Sequence, residues 1–438
     1  MRDPRTADQQ STGVGAIQPW LAVSGNYDTY LDQPGGTLGS SRRSVSLGGG
    51  LSAVKSFQRT ALIFSYAGSG TDYTSPWAGA QQGWMSSNVI NLAVSSQVSR
   101  RLTLDFAETG GAANGGFGSA AAAFQSGGMG MLGSLGAVGG YMSGAGAGLG
   151  GMSGGLDVLQ NGLVDSDYFN QMTYFSSTSA NAGFLLSPRT MVNVGGSAAF
   201  IRRAGRSFSD INMVGANAMI STQLSQRLST FFGYSFSRID FVQSIGNTDI
   251  QGGFAGISYL FSQRDQFSLS VSDSYMNSTF LSTVALPPDI AAVLGVSTTS
   301  VVRNNSRSYP GGRLSYRHEF QRGGFGLLCD SMIAPGNDLI LMARTQGCSV
   351  TLSRELTPRF SVSGVGGLRR LTGMTQSGGR YDVMDGGLIF SYRVLREVSL
   401  FAGADYFASQ IHPSSNSLTG VEANGGLRWS PRNEGSLF

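Results

Sequence analysis

Polar and apolar residues alternate with a period of two along most of the chain, in runs of about 10–14 residues, the pattern of strands with two unlike faces. Within Ile220–Tyr234 one such run ends at Ser225-Gln-Arg227 and the next begins at once. Similar tight turns recur, and each carries an arginine: Arg59, Arg101, Arg189, Arg227, Arg264, Arg322, Arg359 and Arg396. The step is 38 and then 37 residues from Arg189 through Arg227 to Arg264, and 37 twice from Arg322 through Arg359 to Arg396. The repeating unit is therefore one hairpin plus one loop. The other connections are longer and uneven, near 31–41, 70–84, 110–168, 202–211, 241–249, 281–307, 334–338, 372–379 and 411–418. Eight turns and nine loops predict about 18 strands (16–20, since one hairpin more or fewer changes the count by two), from 17–30 to 419–430, with both termini on the turn side.

The two faces identify the solvents. In 359–371, Phe360, Val362, Gly364, Gly366 and Leu368 alternate with Ser361, Ser363, Val365, Gly367 and Arg369. In 397–410, Val398, Leu400, Ala402, Ala404 and Tyr406 alternate with Ser399, Phe401, Gly403, Asp405 and Phe407. One face is apolar, and the other is too polar for a packed core and too sparsely charged for a soluble exterior. An all-β fold consisting of a single transmembrane antiparallel β-barrel, with lipid outside and water inside, satisfies both faces and every backbone group. The barrel is expected over 17–430, with 1–16 as a periplasmic extension and 431–438 as a tail. The short turns are read as periplasmic and the long loops as outer. The turn arginines then lie where guanidinium groups reach headgroup phosphates, or serve simply as the polar residues that such turns require. Phe231, Phe232, Tyr234, Phe236, Phe325 and Trp429 are candidates for interfacial aromatic girdles. In 266–279 the apolar face includes Asp273, so either a bulge intervenes or the strand leaves the membrane there.

Composition agrees. Only 13% of residues are charged, 64 are glycine, and the net charge is +4. Lys55 is the only lysine. There is no basic cluster with interleaved aromatics, and no nucleic-acid partner is expected. The longest uncharged stretch, Gly111–Leu156, is broken by glycine and does not read as a spanning helix. The N-terminus, Met-Arg-Asp-Pro-Arg-Thr-Ala-Asp-Gln-Gln, has no apolar leader segment, which alone would point to the cytoplasm. The strand pattern outweighs it, and Met1 is read as following a removed or mis-assigned signal.

In architecture, over nearly its whole length, the chain resembles outer-membrane porin-like barrels. Its length and strand number are similar to the 18-stranded sugar-specific porins. Its arginine-marked hairpins and variable loops resemble β-barrel porins linked to exopolysaccharide secretion. The resemblance implies a bacterial outer-membrane location and contact with membrane lipid and lipopolysaccharide. It also implies insertion by the barrel assembly machinery and passage of a hydrophilic solute or polysaccharide. Such barrels usually end on an aromatic residue that closes the last strand, whereas Phe438 is separated from Trp429 by Pro431-Arg-Asn-Glu-Gly.

Three functions follow: a passive porin for hydrophilic solutes, including sugars; an outer-membrane component of polysaccharide export with periplasmic partners; and a non-conducting barrel plugged by its largest loop. That loop, 110–168, carries an apolar, uncharged, glycine-rich stretch at 120–151, read as lumen-inserted or as a linker. In 281–307, Pro287-Pro288 and Gly295 punctuate an expected short helix. Inward-facing charges expected to line the pore are Asp105, Arg313, Arg317, Glu319, Asp330, Arg369, Asp385, Arg393, Asp405, Glu422 and Arg428, and both signs are present, so no strong ion preference is expected. Phe401 and Phe407 are candidate pore aromatics. His318 and His412 are the only histidines, no Asp/His/Ser grouping is expected at one level, and neither enzymatic activity, a metal site nor a cofactor is expected. A hairpin closed at 334–338 would not set Cys329 opposite Cys348, so two unpaired thiols are expected, although an oxidising compartment would permit a disulfide.

Overall fold

The computed structural model of the chain describes residues 16–32, 41–74, 83–113, 172–204, 210–242, 246–285, 289, 297–335, 342–374, 379–412 and 417–431. These residues form 18 strands in one sheet, each antiparallel to its neighbours in sequence. They are β1 (Ala16–Asp32), β2 (Ser41–Ser56), β3 (Thr60–Thr74), β4 (Gly83–Gln97), β5 (Leu102–Ala113) and β6 (Thr173–Ser187). Then come β7 (Thr190–Arg203), β8 (Ile211–Gln223), β9 (Leu228–Phe241), β10 (Gly246–Leu260), β11 (Asp265–Ala285) and β12 (Thr298–Phe320). The last six are β13 (Gly323–Pro335), β14 (Met342–Thr357), β15 (Phe360–Gly373), β16 (Arg380–Arg393), β17 (Val398–His412) and β18 (Ser417–Trp429). β1 pairs with β18 from Leu21↔Trp429 onward, which closes the barrel without a free edge. The last strand ends at Trp429, and 432–438 lie outside the described residues.

The alternation sorts the wall into two faces. On β9, Leu228, Thr230, Phe232, Tyr234 and Phe236 share one face, and Ser229, Phe231, Gly233, Ser235, Ser237 and Ile239 share the other. Large exposed hydrophobics such as Leu21, Leu47, Ile90, Val194, Phe232 and Leu388 fall on the first face, the convex exterior. Buried residues such as Trp20, Ile63, Ile201, Ile239, Ser258 and Thr345 fall on the second, the concave interior. An apolar exterior around a polar interior requires hydrocarbon outside. Phe231 departs from the girdle expectation. Its neighbour Phe232 takes the exterior at 64% exposure, so Phe231 must point inward, where it is 3% exposed.

The recurring Ser/Thr-x-Arg turn has a structural cause. The Ser99, Ser187, Ser225, Ser262 and Thr357 hydroxyls each accept the backbone N–H of the arginine two residues on. The arginine's own carbonyl then accepts an N–H from the end of the next hairpin. Arg59 accepts from Gln97, Arg101 from Leu185, Arg189 from Gln223, Arg227 from Leu260, Arg264 from Glu319, Arg322 from Glu355 and Arg359 from Arg393. After Arg396 the same bond shifts one residue, to Glu397 accepting from Ser430. The main chain at this position ties each hairpin to the next, and the arginine side chains project exposed from the rim.

Two loops differ from the sequence expectation. The connection is shorter than the expected 281–307: β11 runs to Ala285 and β12 starts at Thr298, paired up to Ala285↔Thr298, and the helix expected between Pro287 and Gly295 falls outside the described residues except Asp289, which is helical. The run Thr298-Thr-Ser-Val-Val302 is rich in β-branched residues, which favour strand. Residues 286–288 and 290–296 lie outside the described residues. The register passes Asp273↔Pro310 without a shift, so no bulge intervenes. The strand simply continues, and Ser308 donates to both Asp273 oxygens at 2.8 Å. The largest loop is described only to Ala113 and again from residue 172, so the plug expectation lies outside the described residues.

The second difference is covalent. β13 and β14 pair from Pro335↔Met342, which sets Cys329 opposite Cys348 with Cα atoms 4.0 Å apart, and the two form a disulfide. The expectation of unpaired thiols fails because the hairpin closes later than 334–338. Removing the bridge with Cys348→Ser should lower the unfolding free energy by about 3 kcal/mol, the loop-closure value for a cross-link of this span. Denaturant titration of the folded, heat-modifiable gel band would measure it, and an unchanged midpoint would refute it.

Candidate functional site

The barrel interior is the candidate site, and its wall is asymmetric. At the loop-side end Phe175, Ile201, Ile211, Ile239, Phe241 and Met276 turn inward into one apolar cluster, which Val89 of β4 and Met342 of β14 also join and against which Tyr309 of β12 packs. A cavity of about 880 Å³ lies against β11–β18, with Ser270, Arg313, Asp330, Gly347, Arg369 and Ser409 among its lining. With Val383 between Arg369 and Ser409, they form one row across the strand register.

The structure places all eleven charged candidates on the inward face. Arg313 pairs across the β12–β13 ladder with Asp330 at 4.0 Å. Arg317 pairs along its own strand with Glu319 at 2.9 Å. Asp105 accepts from Ser95 and Asp405 from Asn424. Asp385 folds over Gly367, with Oδ1 2.9 Å from where a Cβ would stand. Arg393 reaches the Pro358 carbonyl at the turn rim. The guanidinium of Arg428 lies 5.6 Å from the ring of Trp20, which is 4% exposed. The register also forms a carboxylate row, Asp405↔Glu422↔Asp28, on three adjacent strands. Asp28 was missed by sequence reasoning, although the alternation of β1 with Ser24 and Asn26 marks it. Arg303 and Arg307 also share the inward face of β12 with Arg313 and Arg317. They were missed because that stretch reads as loop.

The inward aromatics do not project freely. Several lie over a glycine of a neighbouring strand: Phe401 over Gly426, Phe407 over Gly420, Phe175 over Gly111 and Trp20 over Gly48. Phe231 and Phe254 do so reciprocally, over Gly256 and Gly233. A Cβ at Gly426 would stand 2.8 Å from the Phe401 ring. Glycine thus provides the space that holds bulky rings flat against the wall and keeps the lumen wide.

Two groupings lie on the outside. At the turn rim Asp265 accepts from Ser262, from Tyr316 at 2.9 Å, and from His318. This corrects the expectation that no Asp, His and Ser share a level. Ser262 and His318 each bond the carboxylate, which is not the arrangement of a nucleophile on its base. On β5, Glu108 faces outward and accepts from Ser176 and Thr178.

The aromatic packing makes a testable demand. Gly420→Ala should push the Phe407 ring into the lumen and lower single-channel conductance, whereas Gly420→Ala with Phe407→Ala should conduct at least as well as the wild type. Equal conductance of all three proteins would show that the ring does not bound the path.

No family model matches the chain, and no curated protein matches its sequence. Solved structures similar to it include OccAB4 of Acinetobacter baumannii, 10% identical with a TM-score of 0.39, covering 98% of this chain and 100% of that one. Pseudomonas aeruginosa OccK7 (OpdD) is 9% identical with a TM-score of 0.43, covering 95% of this chain and 98% of that one. The ferric-catecholate import receptor Fiu of E. coli K12 is 9% identical with a TM-score of 0.40, covering 92% of this chain and 81% of that one.

Proposed function

We propose that the protein is an outer-membrane channel through which hydrophilic solutes pass passively. The observation that carries this reading is the cavity of about 880 Å³ inside a closed barrel of 18 strands. Barrels of this strand number enclose an aqueous channel when side chains do not fill them. The solute path follows the cavity along β11–β18, where Arg313, Asp330 and Arg369 contact it, and the apolar cluster narrows the loop-side mouth. Small polar molecules, sugars among them, suit a wall of serine, glycine and paired charges. The mixed charge gives weak ion preference.

Planar-bilayer recording on refolded full-length protein tests the reading. Steady single-channel steps are expected, and Arg313→Glu should shift selectivity toward cations. The charge swap Arg313→Glu with Asp330→Arg should restore the wild-type value. A second reading, a plugged structural barrel, draws on the apolar cluster at the mouth. Steps seen only after deletion of 114–156 would favour it over an open channel. Silence in both proteins, with the folded gel band present, would sink conduction altogether.

A further inference from the structure

On the exterior, the loop-side ends of β14, β15, β16 and β17 carry a patch unlike the rest of the rim. The register sets Arg344, Thr372, Arg380 and His412 in one outward row. Directly beneath it run Gln346, Arg370, Asp382 and Gln410. Adjacent strands stand about 4.8 Å apart, so the eight side chains form a compact polar grid roughly 15 Å wide. Below the grid the same face turns apolar, with Cys348, Leu368, Met384 and Ala408 in the next row.

The height of the grid is fixed by the strand geometry. On β15 the outward positions from Phe360 to Leu368 are Phe, Val, Gly, Gly and Leu. At about 3.3 Å per residue and a tilt of roughly 40°, Leu368 stands ~20 Å and Arg370 ~25 Å above Phe360. An outer-membrane apolar band is about 25 Å tall, so the Arg370 row lies where hydrocarbon gives way to headgroups.

Charge distinguishes this patch from its counterpart across the barrel. At the loop-side ends of β7–β10, Arg202 and Arg238 are matched by Asp210, Asp240 and Asp249, with ion pairs of 3.8 and 3.3 Å. On β14–β17 three arginines and a histidine surround one carboxylate among the described residues. Asp382 accepts from Arg370 Nε at 2.8 Å and from Arg380, and lies 3.7 Å from His412 Nε2. It draws the cations together without neutralising them. The side chains of Arg370, Arg380 and His412 stay 49%, 40% and 39% exposed. Among the described residues Arg344 makes a long bond to the Pro310 carbonyl, and its buried Nε has no partner there. A guanidinium offers five donors in a planar fork suited to phosphate oxygens, and most of those here are unspent.

We propose that Arg344, Arg370, Arg380 and His412 form a binding site for the phosphate of a phosphorylated glycolipid headgroup, the chemistry of lipopolysaccharide. The acyl chains lie down the apolar rows formed by Leu368, Met384 and Leu388. The proposal rests on embedding of the barrel in a membrane and not on conduction.

Native mass spectrometry of the full-length folded protein in detergent, titrated with bisphosphorylated lipid A, tests it. The wild type should retain the lipid. Arg370→Gln with Arg380→Gln should weaken retention by at least about tenfold, the loss of two charge-assisted contacts. Arg202→Gln with Arg238→Gln should retain it as the wild type does. Equal retention by the two double variants would overturn the site. Displacement of the lipid by millimolar inorganic phosphate would reduce it to a simple anion site and overturn the glycolipid assignment. If the first variant does not give the folded gel band, Arg344→Gln, which breaks no ion pair, should still weaken retention several-fold. Wild-type retention there would also count against the proposal.

Discussion

In hydrocarbon a backbone N–H or C=O without a partner carries a penalty of several kcal/mol, and a sheet edge exposes a whole row of them. The pairing of β1 with β18 removes that edge, and the remaining architecture depends on it. Once the sheet is closed, each residue has only two places to go, lipid or lumen, and period-two alternation becomes a division between solvents. The turns serve the same closure. Their hydroxyl-capped geometry frees a main-chain carbonyl at the arginine position, and that carbonyl bonds the following hairpin. The ladder therefore continues around the rim as well as along the wall.

Closure also explains the glycines. An inward wall crowded with aromatic rings would fill the lumen. Across six or more positions the ring instead lies on a glycine of an adjacent strand, as with Phe401 on Gly426 and the reciprocal Phe231 and Phe254. Packing is thereby gained within the wall and not across the channel. The apolar cluster at the loop-side end and the cavity along β11–β18 then share one lumen. On the outside the same division places the arginine group of β14–β16 just above the apolar rows.

Strand number, turn positions and facing were legible because each is local. A period of two needs no knowledge of partners, and the 37-residue spacing of Arg322, Arg359 and Arg396 counts hairpins directly. The inward face of Arg313, Asp385 and Asp405 follows from the same parity. Phe231 shows the limit of reading composition over parity: it was grouped with its aromatic neighbours, although adjacent residues on a strand must face opposite ways.

What the tertiary structure decided was register, since pairing depends on where each hairpin closes. Closing β13–β14 around residue 336 would set Cys329 opposite position 343. The actual pair Pro335↔Met342 sets it opposite Cys348, because each residue of shift in the closing point moves the partner by two. The same register gives Phe407 its glycine and Asp28 its carboxylate neighbour. It also gathers Arg344, Arg370, Arg380 and His412 from four strands into one patch. By itself the sequence determined that the chain is a barrel of 18 strands with a wet interior, because alternation and turn chemistry are properties of neighbouring residues. The sites on its two surfaces arise between strands, and only the closed sheet brings those residues together.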